Sequence, residues 1–327
     1  MTTLIRIIFI FLFFLSLANA GGGMTHMFIA QETIAKLPNE KLRNLLLDNL
    51  DTYLVGAYYP DSGFVQGTHY GEDSHWDLFI YTFADYLKEK YSDPVIQHPK
   101  LVAFLFGCAV HRVSDEVIHW TFYEVSKDKD FNGDYNQAHQ YGDIGIDLLL
   151  NIDKNQWMTH PATWWVPVND LLDVYHRMGK DNYTAAEIRW GNTAIFLAGY
   201  GERIISAPAY PYLRWKMPWT AAHYYDWPEG GILMDEDKVA EYLMNLWDRL
   251  HNKKLTQMPV FASKHRLNSI HTEPSPAVDF AQKAMESGAV SVPVKSNEDG
   301  SIELQLPVVN EFNKFRDLIA EFFSRVD

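Results

Sequence analysis

The chain contains little cysteine and little positive charge. Cys108 is the only cysteine among 327 residues, so no disulfide can form within the chain. Lysine and arginine number 28 against 42 aspartates and glutamates, which gives a formal net charge of −14. This charge argues against binding to nucleic acid and against binding of anionic lipid through a cluster of basic residues. The apolar content of 47% excludes a disordered chain.

Long hydrophobic runs are also absent after residue 20, so we expect no transmembrane segment. The first twenty residues have the form of a secretory signal peptide. Arg6 is basic, residues 7–17 are apolar apart from Ser16, and residues 18–20 (Ala-Asn-Ala) form a cleavage motif of small residues. We therefore expect cleavage after Ala20 and a secreted or periplasmic protein.

The remainder is predicted to be mainly α-helical, with a small α+β extension at its C-terminal end. Apolar periodicity predicts helices at 26–37, 39–55, 75–91, 99–126, 137–152, 163–178, 184–206 and 235–251. Prolines and a Gly-Gly pair predict an irregular connection at 208–230. Further on we expect a short helix at 277–287, a hairpin within 292–306 and a helix at 309–325. The predicted division is a signal peptide (1–20), a main domain (21–254) and an extension (255–327).

Imidazole and carboxylate side chains recur at a spacing of four in the middle of the chain. The pattern is His111-x3-Asp115-x3-His119, followed by His139-x3-Asp143. Residues four apart on an α-helix lie about 6 Å apart along its axis and face the same way. Histidine and aspartate in that arrangement suit zinc above other metals. Two such groupings close together in the sequence indicate more than one ion.

A simpler interpretation is that these are ordinary structural residues. A histidine in an apolar helix is usually a hydrogen-bonded core residue, and a His-x3-Asp pair is often a contact on a helix surface. Here, however, residues 101–110 are apolar nearly all round, so the helix should be buried. Burying the charged Asp115 between two histidines is costly without a cation. The pattern therefore favours a metal site.

Several motifs, in chain order, resemble those of the zinc-dependent phospholipase C superfamily. Residues 100–107, 165–172 and 200–202 resemble in particular its branch of glycosylphosphatidylinositol-specific phospholipases D, and so does the short gap between Asp115 and His119. The motifs are Gly22-x3-His26, Tyr-Pro-Asp61, Ser-His75-Trp, Phe-Gly-x3-His111-x3-Asp115-x3-His119 and Ala-His139-x2-Gly-Asp143. The position of His26, Asp61 and His75 in the chain does not single them out without this resemblance.

The resemblance implies a helical catalytic domain at 21–254 with three Zn²⁺ ions and nine ligand residues. It assigns Asp61, His75, His111 and Asp115 to the first ion and His119, His139 and Asp143 to the second. It assigns Asp115, His26 and the amino-terminal residue Gly21 to the third. Zinc-activated water would then attack a phosphodiester, and Asp61 would also act as a catalytic residue that orients the water. We expect Glu72, Asp73 or Glu116 to hold the outer ring nitrogens of the histidines.

Three functions remain open. The first is a monomeric, exported phospholipase, of D or C type, that acts on phospholipids or glycosylphosphatidylinositol anchors at a membrane surface. The second is a single-strand nuclease of the same superfamily, which the net charge disfavours. The third is a metal-stabilised binding module without activity. Trp164, Trp165 and the segment 215–227 either enter the lipid interface or pack over the helices.

Overall fold

The computed structural model describes residues 22–156, 161–251 and 276–324, and the predicted signal peptide and Gly21 lie outside these ranges. The fold is mainly α-helical, as predicted. None of the helices in the described ranges is both long and apolar enough to cross a membrane. The α-helices are α1 (Gly23–Lys36), α2 (Glu40–Asp48), α3 (Leu50–Tyr58), α4 (Gly71–Ser74), α5 (Asp77–Lys90), α6 (Pro94–Gln97), α7 (Pro99–Val117), α8 (Tyr123–Asp130), α9 (Tyr135–Asp153), α10 (Val168–Arg177), α11 (Ala185–Lys216), α12 (Pro218–His223), α13 (Ile232–Leu250), α14 (Pro276–Glu286) and α15 (Phe312–Ser324).

Helix α7 lies at the centre of the described helices. The pair of α3 and α7 packs together more extensively than any other pair of them. The two helices cross where each carries a glycine. A Cβ on Gly56 would lie 2.3 Å from the carbonyl oxygen of Phe104, and one on Gly107 would lie 2.1 Å from that of Tyr53. Only glycine permits so close an approach. The crossing brings the end of α3 against the part of α7 that carries the His-x3-Asp motif.

Short strands connect the C-terminal part of the chain to the helices. The strands are β1 (Trp164–Val166), β2 (Val290–Ser291), β3 (Val294–Ser296), β4 (Ile302–Leu304) and β5 (Val308–Val309). Strands β3 and β4 form the predicted hairpin, with Val294 opposite Leu304. Strand β4 also pairs antiparallel with β1, in the order β1-β4-β3, while β2 pairs with β5. The extension thus shares a sheet with the helical region, and the predicted division at residue 255 remains a prediction.

The predicted helix 163–178 is wrong at its beginning, where residues 164–166 form β1 and the helix starts at Val168. Pro167 explains the difference, because a residue that precedes proline is driven away from the helical region into extended backbone. Trp164 and Trp165 are only 1% and 6% exposed. Their proposed entry into a lipid interface is therefore wrong, and they belong to the core.

The predicted irregular connection at 208–230 is wrong as far as His223, because only Met217 separates α11 from α12. Helix α11 continues through Pro208 and Pro211 to Lys216. A proline inside a helix costs about 3 kcal/mol, but Ala209 and Leu213 are buried and contribute core contacts that offset the cost. The predicted helix 39–55 is divided at Asn49, whose φ of −125° lies outside the helical region.

Candidate metal centre

The segment that carries the spaced histidines and aspartate is less regular than the sequence predicts. His111 and Asp115 lie on α7, but His119 lies in a π-helical turn at Ile118–Phe122. The amide of Tyr123 donates to the carbonyl of Ile118, five residues back rather than four. The expectation of one regular α-helical stripe is therefore wrong for His119. Single π-helical turns within helices occur often at functional sites.

The structure brings eight of the nine predicted ligand residues together as three groups, two of which share His111, and each group has its ligand atoms within 4.8 Å of one another. The ninth, Gly21, lies outside the described residues. All eight side chains are buried. We call Asp61, His75 and His111 the first cluster, His119, His139 and Asp143 the second cluster, and His26, His111 and Asp115 the linking group.

Asp115 occupies the centre of this arrangement. Its Oδ1 lies 3.1 Å from His26 Nε2 and 3.6 Å from His119 Nε2. Its Oδ2 lies 3.3 Å from His111 Nε2 and 3.5 Å from His75 Nε2. One carboxylate thus reaches four imidazoles from both clusters. Such a carboxylate can bridge metal ions, as the resemblance implies for Asp115.

The tautomers of His75 and His111 are set by backbone carbonyls. His75 Nδ1 lies 2.6 Å from the carbonyl oxygen of Gly71, and His111 Nδ1 lies 2.8 Å from that of Ala57. A carbonyl only accepts, so each Nδ1 carries a proton, and in the neutral form of each ring the unprotonated Nε2 faces the cluster. The two Nε2 atoms are only 2.9 Å apart. Two lone pairs at that distance repel each other, and a cation beside both removes the repulsion.

His26 has its tautomer set by a serine. Ser114 Oγ lies 2.9 Å from the carbonyl oxygen of Val110, to which it donates its one proton. The same oxygen lies 2.7 Å from His26 Nδ1 and therefore accepts from it. The Nε2 of His26, which is unprotonated in the neutral ring, thus faces Asp115. Outer hydrogen bonds of this kind commonly fix the histidines that ligate metals.

The donor set fits a divalent cation such as zinc. Asp61 Oδ2 is buried and has no hydrogen-bond partner among the described residues. Asp61, Asp115 and Asp143 are all at most 9% exposed. Three buried carboxylates so close together concentrate negative charge that is costly in a protein interior without a cation. Imidazole nitrogen and carboxylate oxygen are the ligands that zinc takes in catalytic sites.

The pKa values of the aspartates and of His119 reflect the charges that surround them in the centre. Burial acts to raise the pKa of Asp115, but His111 and then His119 hold it well below its usual value. The pKa of Asp61 is lowered in the same way, against burial, chiefly by His111. Burial opposes the charged form of His119, yet Asp115 and Asp143 raise the pKa of its imidazole to about 9. The centre therefore favours positive charge, which two or three Zn²⁺ ions would supply.

The second cluster is supported mainly by tyrosines that sequence reasoning missed. The hydroxyl of Tyr123 donates to Asp143 Oδ1 at 2.7 Å, and that of Tyr135 donates to the carbonyl oxygen of His119 at 3.0 Å. Burial acts to raise the pKa of Asp143, and His139 and then His119 lower it. Tyr123 lies four residues after His119, and that helical spacing was the available signal.

The three acidic residues expected to hold the outer ring nitrogens do not do so. Glu72 accepts from the indole of Trp76, and Asp73 accepts from Tyr183. Glu116 pairs with Arg112. That prediction is wrong, because the rings of His75, His111 and His26 turn towards backbone carbonyls and a serine instead.

The beginning of the described chain lies beside the linking group. The amide of His26 donates to the carbonyl of Gly22 at 3.0 Å. A Cβ placed on Gly22 would lie 3.8 Å from His26 Nε2 and 3.9 Å from the carbonyl oxygen of Asp143. This position is compatible with the predicted participation of the preceding residue, Gly21, in the centre.

Comparison with known proteins agrees with the site. The family model described as zinc dependent phospholipase C matches residues 25–188. The human phosphatidylinositol-glycan-specific phospholipase D is 31% identical over 218 residues, which are 63% of this chain and 25% of that protein. The rat protein of the same name is 29% identical over 258 residues, which are 74% of this chain and 30% of that protein. No solved structure matches this chain.

The matched part of the chain thus corresponds to about a quarter to a third of these relatives. The family match includes every predicted ligand from His26 to Asp143, and the structure gathers those side chains into clusters that can hold a metal. The chain belongs to the zinc-dependent phospholipase C family.

Proposed function

We propose that this protein is an exported phosphodiesterase that holds three zinc ions and hydrolyses phospholipids or glycosylphosphatidylinositol anchors. The observation that carries the proposal is the convergence of the Nε2 atoms of His26, His75 and His111 on the buried carboxylate of Asp115. The first cluster together with Asp115 would bind one ion, the second cluster would bind another, and Asp115, His26 and Gly21 would bind the third. His111 would be a ligand of the first ion only, because its Nδ1 is bonded to the carbonyl of Ala57.

The chemistry follows from the charges of the site. Zinc would supply Lewis acidity and lower the pKa of water towards neutrality. Positive charge in the bound centre would attract a phosphodiester into a protein that is acidic overall. Asp61 would orient the attacking water and accept its proton at Oδ2, the oxygen without a partner among the described residues. The water oxygen would bond to phosphorus as the bond to the opposite ester oxygen breaks, and that oxygen would take up a proton from the solvent and leave as an alcohol.

Names of the relatives favour the D type of cleavage and a glycan-linked phosphatidylinositol as substrate. In that case the bond between phosphorus and the headgroup oxygen breaks and phosphatidic acid remains. In the C type the bond to the glycerol oxygen breaks and diacylglycerol remains. The same metal centre can serve both reactions, because they differ only in the oxygen that leaves.

The experiment is an assay of the processed protein on three substrates, which are phosphatidylcholine vesicles, vesicles that carry a glycosylphosphatidylinositol-anchored protein, and single-stranded DNA. We expect release of the anchored protein with phosphatidic acid as the lipid product. Chelation should abolish release, and added zinc should restore it. Cleavage of DNA alone would favour the nuclease, and bound zinc without turnover on any substrate would favour a binding module.

The proposed role of Gly21 after cleavage has its own test. Since Gly21 would bind zinc through its free amine, the unprocessed chain should lack one zinc equivalent and hydrolyse substrate poorly. We would compare zinc content and turnover of the full chain with those of the chain that begins at Gly21. Equal zinc and equal turnover would remove Gly21 from the proposed ligands.

A further inference from the structure

Asp147 is a buried carboxylate with no part in the proposed reaction. It lies on α9, four residues after Asp143 and eight after His139, so the three side chains follow one face of the helix. Its side chain is fully buried. Burial is the largest influence on it and raises the pKa of its carboxyl to about 8. A group so costly to bury is expected to have a specific partner.

The partner is the beginning of α1. Asp147 Oδ2 accepts from the amide of Met24 at 3.0 Å, and Oδ1 accepts from the amide of Thr25 at 2.7 Å. The hydroxyl of Thr25 also lies 2.5 Å from Oδ1. The first amides of a helix have no partner within the helix, and the residue before α1 is Gly22, which has no side chain to cap them. Asp147 caps α1 from a different helix.

A second close contact lies at the beginning of the same helix. A Cβ on Gly23 would lie 1.9 Å from the ring of Tyr58, so only glycine lets the backbone approach that ring as closely as it does here. His26 follows within one turn of α1. Its Nε2 lies 3.1 Å from Asp115 Oδ1, although the two residues belong to different helices. The contacts of Asp147 thus hold the two residues of α1 that directly precede His26.

We propose that Asp147 is a positioning residue that docks the start of α1 and so holds His26 in register with Asp115. The proposal rests on the zinc function proposed above. Helix α9 then serves two parts of the centre. His139 and Asp143 are ligands of the second cluster, and Asp147 anchors the linking group. Zinc at the linking group therefore depends on Asp147, and zinc at the second cluster does not.

The test is Asp147→Asn, which keeps the size of the side chain but replaces one acceptor oxygen with an NH₂ donor. That donor faces an amide of Met24 or Thr25, and one contact is lost. The matched control is Asn151→Ala, one turn further along α9. Asn151 is equally buried, but it donates to Ser206 on α11.

Two quantities are measured, namely zinc equivalents retained against a competing chelator, and hydrogen exchange of the amides of residues 23–27 in metal-free protein. We expect Asp147→Asn to lose one zinc equivalent and to exchange these amides at least about tenfold faster. Asn151→Ala should unfold at a lower temperature with both quantities unchanged. Wild-type zinc retention and exchange in Asp147→Asn would overturn the proposal, and so would equal losses in Asn151→Ala.

Thr25→Val is the second variant, for use if Asp147→Asn does not fold. It removes only the hydroxyl contact, and we expect a roughly threefold faster loss of one zinc equivalent. An unchanged rate of loss would contradict the proposal. If the wild-type protein binds no zinc at all, the proposed function fails. The exchange measurement on metal-free protein then still decides whether Asp147 docks α1.

Discussion

The first and second clusters use the same ligand chemistry but are held in place by different means. In the first cluster, backbone carbonyls of Gly71 and Ala57 orient His75 and His111. In the second, the side chain of Tyr123 holds Asp143, and His119 lies in a π-helical turn. The carbonyls that orient His75 and His111 cannot be removed by replacing a side chain, whereas the hydroxyl that holds Asp143 can be deleted. We therefore expect zinc binding in the second cluster to be more sensitive than that in the first to substitution of residues that contact the ligands.

The largest effect should come from Asp115→Ala, because Asp115 reaches imidazoles of both clusters. We expect loss of at least two zinc equivalents and a fall in kcat of about 1,000-fold or more, since bound metal supplies several kcal/mol of transition-state stabilisation and each 1.36 kcal/mol is a factor of ten. Elemental analysis and turnover would check this, with circular dichroism as the control for folding. Loss of a single equivalent would show that Asp115 does not connect the clusters.

His119→Ala should affect the second cluster alone. We expect one zinc equivalent to be lost and two to remain, with activity reduced about 100-fold to 1,000-fold because one of the charges at the reacting phosphate is missing. His75→Ala provides the comparison for the first cluster. Unchanged zinc content and turnover in His119→Ala would reject its assignment as a ligand.

Tyr123→Phe tests the difference in support directly. The variant removes only the hydroxyl that donates to Asp143. Deletion of an outer hydrogen bond to a ligand typically lowers metal affinity or activity about 10-fold to 100-fold, so we expect weaker zinc binding in the second cluster and normal binding in the first. Competition with a chelator, followed for each equivalent, makes the measurement. Equal weakening of all equivalents would contradict separate support of the two clusters.

The smallest effect should come from Glu72→Gln. Glu72 is next to the carbonyl of Gly71, yet its own side chain accepts from Trp76 rather than from a histidine. Surface substitutions of this kind change free energies by about 0.5 kcal/mol or less, so zinc affinity and turnover should stay within about twofold. A larger loss in kinetic and zinc-binding assays would restore the role that the sequence had suggested for Glu72.

Helical spacing alone was enough to predict the neighbouring ligand pair on α7 and the neighbouring ligand pair on α9. His111 and Asp115, like His139 and Asp143, are four apart within one helix, so local geometry determines their proximity. His26, Asp61 and His75 meet them only through packing of separate segments. For these three residues the prediction therefore depended on the resemblance to a family.

The sequence was least informative where the support is backbone or distant in the chain. The carbonyl of Ala57 reaches His111 because α3 and α7 cross at glycines, and no residue type signals that contact. Strand β1 is only three residues long, and its partner β4 lies more than a hundred residues away. Asp147 was a missed signal, because an aspartate on the same helical face as His139 and Asp143 needs a partner once that face is buried.

The most direct test of the central claim is an anomalous diffraction measurement on crystals of the processed protein, above and below the zinc absorption edge. We expect three peaks, one among the ligand atoms of the first cluster, one in the second cluster and one between His26 and Asp115. Full hydrolytic activity in a protein whose crystals show no anomalous peak at these side chains would contradict the account.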